Sequence, residues 1–131
     1  MGNASDDSDS EVPGDEEVAV AVEVFRMMSD ATRVRLLCAL GSGSKSKELS
    51  VGQLTEAVGK RPAAVSQHLA KLRMVRLVTT RQQGNQVFYR VANEHVSQLV
   101  TDALRHSEHL GTGTPAHHRS VDPVRADTRE R

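Results

Sequence analysis

The chain has 131 residues, 37% hydrophobic and only 2% aromatic, with one cysteine and a formal net charge of zero. That length fits one domain with tails, and its thin aliphatic core points to a homodimer. A single thiol excludes an internal disulfide framework and a multi-thiolate metal site within one chain. No apolar run approaches the roughly 20 residues of a membrane span, and the acidic start is not a signal peptide, so a cytoplasmic protein without membrane contact is expected.

The zero net charge hides an asymmetry. Residues 1–17 carry seven acids and no base, whereas residues 57–93 carry seven bases (Lys60, Arg61, Lys71, Arg73, Arg76, Arg81, Arg90) and no acid. An acid-free basic block of this kind suits a polyanion partner.

In chain order, residues 1–14 are small, acidic and polar, and read as a disordered tail. "DEEVAVAVEVFRMM" reads as a helix with acids in its first turn, where the helix dipole favours them. Its apolar stripe is Val18, Val22, Phe25 and Met28. Ser29 is expected to cap the next helix, "DATRVRLLCAL", which turns Val34, Leu37 and Leu40 inward, buries Cys38 as a small hydrophobe and stops at Gly41. "GSGSKSKE" reads as a surface loop.

Ser50 is placed to cap a short helix, "VGQLTEAVG", ended by Gly59. Pro62 suits the first turn of another, "PAAVSQHLAKLRM". Two short helices joined by a tight turn, the second amphipathic, match a helix-turn-helix. Val65, Leu69 and Leu72 face inward; Ser66, Gln67, His68, Lys71 and the preceding Arg61 stay on or near the outer side. "LVTTR" and "QVFYRV" around "QQGN" read as a β-hairpin. The expected fold is thus mainly α with a small β-hairpin: a winged helix-turn-helix over residues 15–110.

A last helix over 93–110 carries the stripe Val96, Leu99, Val100, Ala103 and Leu104, suited to the same helix of a second subunit. The Gly-, Pro- and charge-rich residues 111–131 read as a flexible tail. Five of the six histidines lie between 95 and 118: His95, His106, His109, His117 and His118. At about 100° per residue, His106 falls at about 20° and His109 at about −40° from His95. These three form one stripe. Glu108, at about 220°, lies off it.

"MMSDATRVRLLCAL", "ELSVGQL", "AAVSQHLAKLRMVRLV" and "GNQVFYRV" resemble the ArsR/SmtB family of dimeric winged-helix metal-sensing repressors over about residues 16–110. Residues 93–119 are closer still to a nickel- and cobalt-sensing member. The resemblance implies a homodimeric repressor that binds a double-stranded, palindromic operator, leaves it when metal binds and so derepresses efflux genes. It implies neither an enzyme nor a small-molecule substrate.

Side chains near the start of a recognition helix meet base edges. These are Ala64, Ser66, Gln67 and His68, with Arg61, Lys71 and Arg73 as phosphate clamps. Arg81, Gln83, Asn85 and Gln86 of the wing are placed for backbone or minor groove. The family's zinc pattern meets Asn93, His95, His106 and His109, with a neutral amide where a carboxylate belongs. Its nickel/cobalt pattern is matched by His95, Glu108, His109, His117 and His118, with His106 a further ligand or a supporting group. Five or six N/O donors suit octahedral Ni(II) or Co(II) better than tetrahedral Zn(II), which stays possible. The thiolate pair of the family's soft-metal sensors is missing, with Ser50 and Gly52 in its place.

Overall fold

The computed structural model describes residues 11–112. It divides into two units, one through Ser97 and one from Gln98. The first holds helices α1 (Asp15–Met28), α2 (Ala31–Leu40), α3 (Val51–Val58) and α4 (Pro62–Met74). It also holds strands β1 (Leu49–Ser50), β2 (Val78–Gln83) and β3 (Gln86–Val91). Helix α5 (Glu94–Thr112) begins in this unit and makes up the described part of the second.

The helix boundaries follow local chemistry. Asp15, Glu16 and Glu17 open α1 and complement its positive end. Asp30, not Ser29, caps α2: its carboxylate accepts the Arg33 amide at 3.1 Å. Ser29 instead closes α1, donating its hydroxyl to the Arg26 carbonyl. The two adjacent residues are both good caps, and only the path of the chain between the helices separates them. Gly41 ends α2 at φ 78°. A Cβ there would lie 2.3 Å from the Lys45 carbonyl oxygen, so the close approach requires glycine. Ser50 caps α3 in a reciprocal box with Gln53, and Gly59 ends it in the left-handed region. Pro62 occupies the first turn of α4, where its missing N–H costs nothing.

The end of α4 is less ordinary. Leu77 donates its amide to the Leu72 carbonyl, and Arg76 donates to Arg73, both at 2.9 Å. This is the Schellman pattern, whose left-handed position normally holds glycine. Here Arg76 holds it, at φ 64°.

The sheet has the order β1-β3-β2, all antiparallel. The expected hairpin is present, with Gly84 at positive φ opening its two-residue turn. A third strand joins it: Leu49 pairs with Tyr89 and Ser50 with Phe88. Helix α2 packs on α1, α3 and α4; α4 also meets β2. The core is aliphatic: Leu36, Leu37, Leu40, Leu54, Val65, Leu69, Leu72, Leu77, Val78 and Val96 are buried. Each such side chain contributes about 1.5–3 kcal/mol relative to exposure.

Other expectations differ from the structure. Val34 is only half-buried, and Leu36 takes its place inside. Cys38 is exposed, yet enough protein surrounds its sulfur for desolvation to push the thiol above its usual range. On α1, for which the spacing set no burial, Phe25 is 59% exposed and Val22 44%, while Met28 is half-buried. The spacing read the helix correctly but not what covers it. Helix α5 continues through Thr112, the last described residue and past the expected end at 110.

Candidate nucleic-acid interface and metal-ligating residues

The burial of α4 divides its faces. Val65, Leu69 and Leu72 are fully buried, which turns Ser66, Gln67, Lys71 and Arg73 out to solvent. Arg61, at the N-cap position of α4, is exposed as well. Ala64, near the start of the helix, is half-buried. Hydroxyl, amide and three permanent or near-permanent cations thus share the accessible side of one short helix. That set can contact base edges with Ser66 and Gln67 and phosphates with the cations.

His68 departs from the expected pattern. It is half-buried, and its Nδ1 accepts a hydrogen bond from Arg33 Nε at 3.1 Å. Asp30 Oδ1 is 4.0 Å from the same nitrogen, outside hydrogen-bond reach. The Arg33 bond is therefore the one that orients the ring. Burial would raise the Asp30 carboxyl. The Arg33 amide, the His68 imidazole, the Arg33 guanidinium and the Thr32 amide together outweigh that and hold it below the ordinary value.

In the wing, Gln83, Asn85 and Gln86 are exposed around the turn. Arg81 is exposed too but already engaged. It grips the Glu48 carboxylate through Nε at 2.9 Å and Nη2 at 2.8 Å, and donates Nη1 to Gln83. Its guanidinium lies 5.1 Å from the centre of the Phe88 ring. The Arg81 hydrogen bond holds Glu48 below the usual carboxylate range, and the same contact pushes Arg81 up. Arg81 thus ties the wing to the segment before β1 and would have to leave Glu48 to meet a phosphate. Nothing in the sequence signalled this pair: 33 residues separate its members.

On α5, Asn93 accepts from the amides of His95 and Val96 at 2.9 and 3.2 Å. The residue at the zinc pattern's first position is therefore a helix cap, with its carbonyl oxygen committed. His95 stands exposed in the first turn; His106, Glu108 and His109 stand exposed near the end. Among the described residues no group of three or more His, Cys, Asp or Glu side chains is close enough to hold a metal ion. His117 and His118 lie outside the described residues. The imidazole and carboxylate donors present fit a borderline or hard divalent ion in chemistry. A full ligand set needs groups beyond the described part of one chain.

Among the described residues no helix is long and apolar enough to cross a membrane. Residues 30–80 match the family described as "Bacterial regulatory protein, arsR family". The chain is 55% identical over 107 residues to the "HTH-type transcriptional regulator KmtR" of Mycobacterium tuberculosis, covering 82% of this chain and 79% of the relative. KmtR is the family member that residues 93–119 resemble. The "HTH-type transcriptional regulator NmtR" of the same organism is 34% identical over 110 residues, 83% of this chain and 88% of the relative. The solved structure of the "AntR antimony-specific transcriptional repressor" superposes with a TM-score of 0.69 at 31% identity, covering 79% of this chain and 91% of that one. KmtR, NmtR and AntR are all named as transcriptional regulators or repressors. The chain belongs to the arsR family: it is a winged-helix, DNA-binding transcriptional regulator of the ArsR/SmtB metal-sensing group.

Proposed function

We propose that this regulator is a homodimeric repressor that leaves a palindromic operator when Ni(II) or Co(II) binds, derepressing metal efflux genes. The observation that carries the DNA half is the outer side of α4, where Arg61, Ser66, Gln67, Lys71 and Arg73 are exposed around a fully buried Val65–Leu69–Leu72 seam. A two-fold dimer would present two such helices about one turn of DNA apart. The exposed apolar side chains Val18, Val22 and Phe25 of α1 and Leu99 and Leu104 of α5 support self-association, since large solvent-facing apolar patches mark interaction sites. Asn85 and Gln86 supply wing contacts.

The metal half rests on donor chemistry. His95, Glu108, His109, His117 and His118 would hold the ion, with His106 a sixth ligand or a support. A dimer brings a second copy of each donor, which a single chain lacks. Metal bound across the dimer would favour a spacing of the recognition helices that no longer fits the operator. Typical allosteric couplings of about 1–3 kcal/mol change occupancy about 5- to 150-fold. The Zn(II) alternative is weakened by Asn93, whose oxygen already caps α5. Anisotropy titrations of operator DNA with apo, Ni(II)-, Co(II)- and Zn(II)-loaded protein test this. Release by Ni(II) or Co(II), lost in a chain ending before His117, is expected. Release by Zn(II) alone would favour the zinc sensor, and no metal response a metal-independent regulator.

A further inference from the structure

The contact between α2 and α4 carries an inference that rests on the operator-binding reading. Arg33 sits in the first turn of α2 and reaches two other helices. Its Nε donates to His68 Nδ1 of α4 at 3.1 Å, and its Nη1 donates to the Met27 carbonyl of α1 at 3.1 Å, with the Met27 sulfur at 3.5 Å. Its own amide is fixed by Asp30. The guanidinium can only donate. Nδ1 of His68 is therefore the acceptor, and the ring hydrogen sits on Nε2. The His68 side chain is only 22% exposed, in contrast to its exposed neighbours Ser66 and Gln67.

We infer that His68 is the seat of the recognition helix and not a reader of bases. Arg33, steadied by Asp30 and by the Met27 carbonyl, fixes the rotation of α4 about its axis. That rotation decides where Ser66 and Gln67 point. Hydrophobic seams alone tolerate small rolling of a helix; a directional bond between a planar guanidinium and an imidazole nitrogen does not. Arg33 and Asp30 are accordingly positioning residues for operator reading although neither lies on α4.

The test uses the full chain, its operator, and operators with single base-pair changes. Arg33→Lys keeps the charge but cannot bridge His68 and Met27 with the same geometry. His68→Leu removes the acceptor, whereas His68→Asn keeps an acceptor where Nδ1 stands. Arg33→Lys and His68→Leu should each weaken operator binding about tenfold, with the double variant no weaker than either, as for residues in one network. Both should narrow the gap between cognate and altered operators, with the salt dependence unchanged. His68→Asn should stay within about threefold of the parent. Circular dichroism confirms folding, and long-range nitrogen-15 NMR of the His68 ring reads Nδ1 as unprotonated in the parent, independently of DNA. Loss of discrimination at one base pair in both His68 variants, with Arg33→Lys matching the parent, overturns the inference and makes His68 a direct reader. A protonated Nδ1 in the parent also overturns it. A parent chain that binds no DNA overturns operator binding itself and this inference with it.

Discussion

Arg76→Gly is expected to stabilise the protein, which runs against the usual effect of adding glycine. Arg76 holds φ 64° at the Schellman position closing α4. A left-handed conformation costs a residue with a Cβ about 1–2 kcal/mol. Glycine removes that strain but gives back about 0.4–1 kcal/mol through the greater freedom of its unfolded chain. The side chain is exposed, and the hydrogen bond that its backbone N–H donates to the Arg73 carbonyl survives the change. The net gain is therefore about 0.5–1 kcal/mol. For a domain of this size that raises the melting temperature by roughly 2–6 °C. Thermal unfolding followed by circular dichroism, at one protein concentration, reads it. Arg76→Ala is the control: it removes the charge but keeps the Cβ, and should give no such gain. Equal stabilisation by alanine and glycine would assign the effect to relief of charge repulsion and refute the strain argument.

Gly41→Ala should do the reverse, destabilising by about 2 kcal/mol, because the new Cβ meets the Lys45 carbonyl at positive φ; urea unfolding checks it. The Asp30 carboxyl is depressed in the folded state. Its contribution is thus fully present above the unfolded value of about 3.9 and lost as pH falls through the lower folded value. Asp30→Asn keeps a cap but should flatten the acid limb of a stability–pH curve in that window. Lys71→Ala should weaken DNA binding evenly across operator sequences. With two copies in the proposed dimer and a slope of about 0.9 per phosphate contact, it should reduce the salt dependence by about 2.

What was legible in the sequence was what local chemistry decides. Ser50, Gly59 and Pro62 announce the helix-turn-helix, because caps and first turns are satisfied within a few residues; the reciprocal bonding with Gln53 came only with the structure. The β-branched and aromatic run "QVFYRV" beside the polar turn "QQGN" announces β3. Strand β1 was not legible, being two residues long and paired with residues some 38 positions away. The partners of Arg81 and His68 were hidden likewise: Glu48 and Arg33 lie 33 and 35 positions away. A basic side chain committed to a carboxylate looks, in sequence, the same as one free for phosphate. The stripe on α1 gave the helix but not its covering, since amphipathicity cannot tell a core from a partner. The histidine pattern gave donor types without showing how they assemble, and within the described residues of one chain no three of them come together.

The most direct measurement is the affinity of the full chain for its operator, by fluorescence anisotropy at fixed salt, with and without one equivalent of Ni(II) per subunit. At least fivefold weaker binding with the ion is expected, an effect abolished by His95→Ala and by ending the chain before His117. Equal affinity of the metal-free and nickel-loaded protein would contradict it.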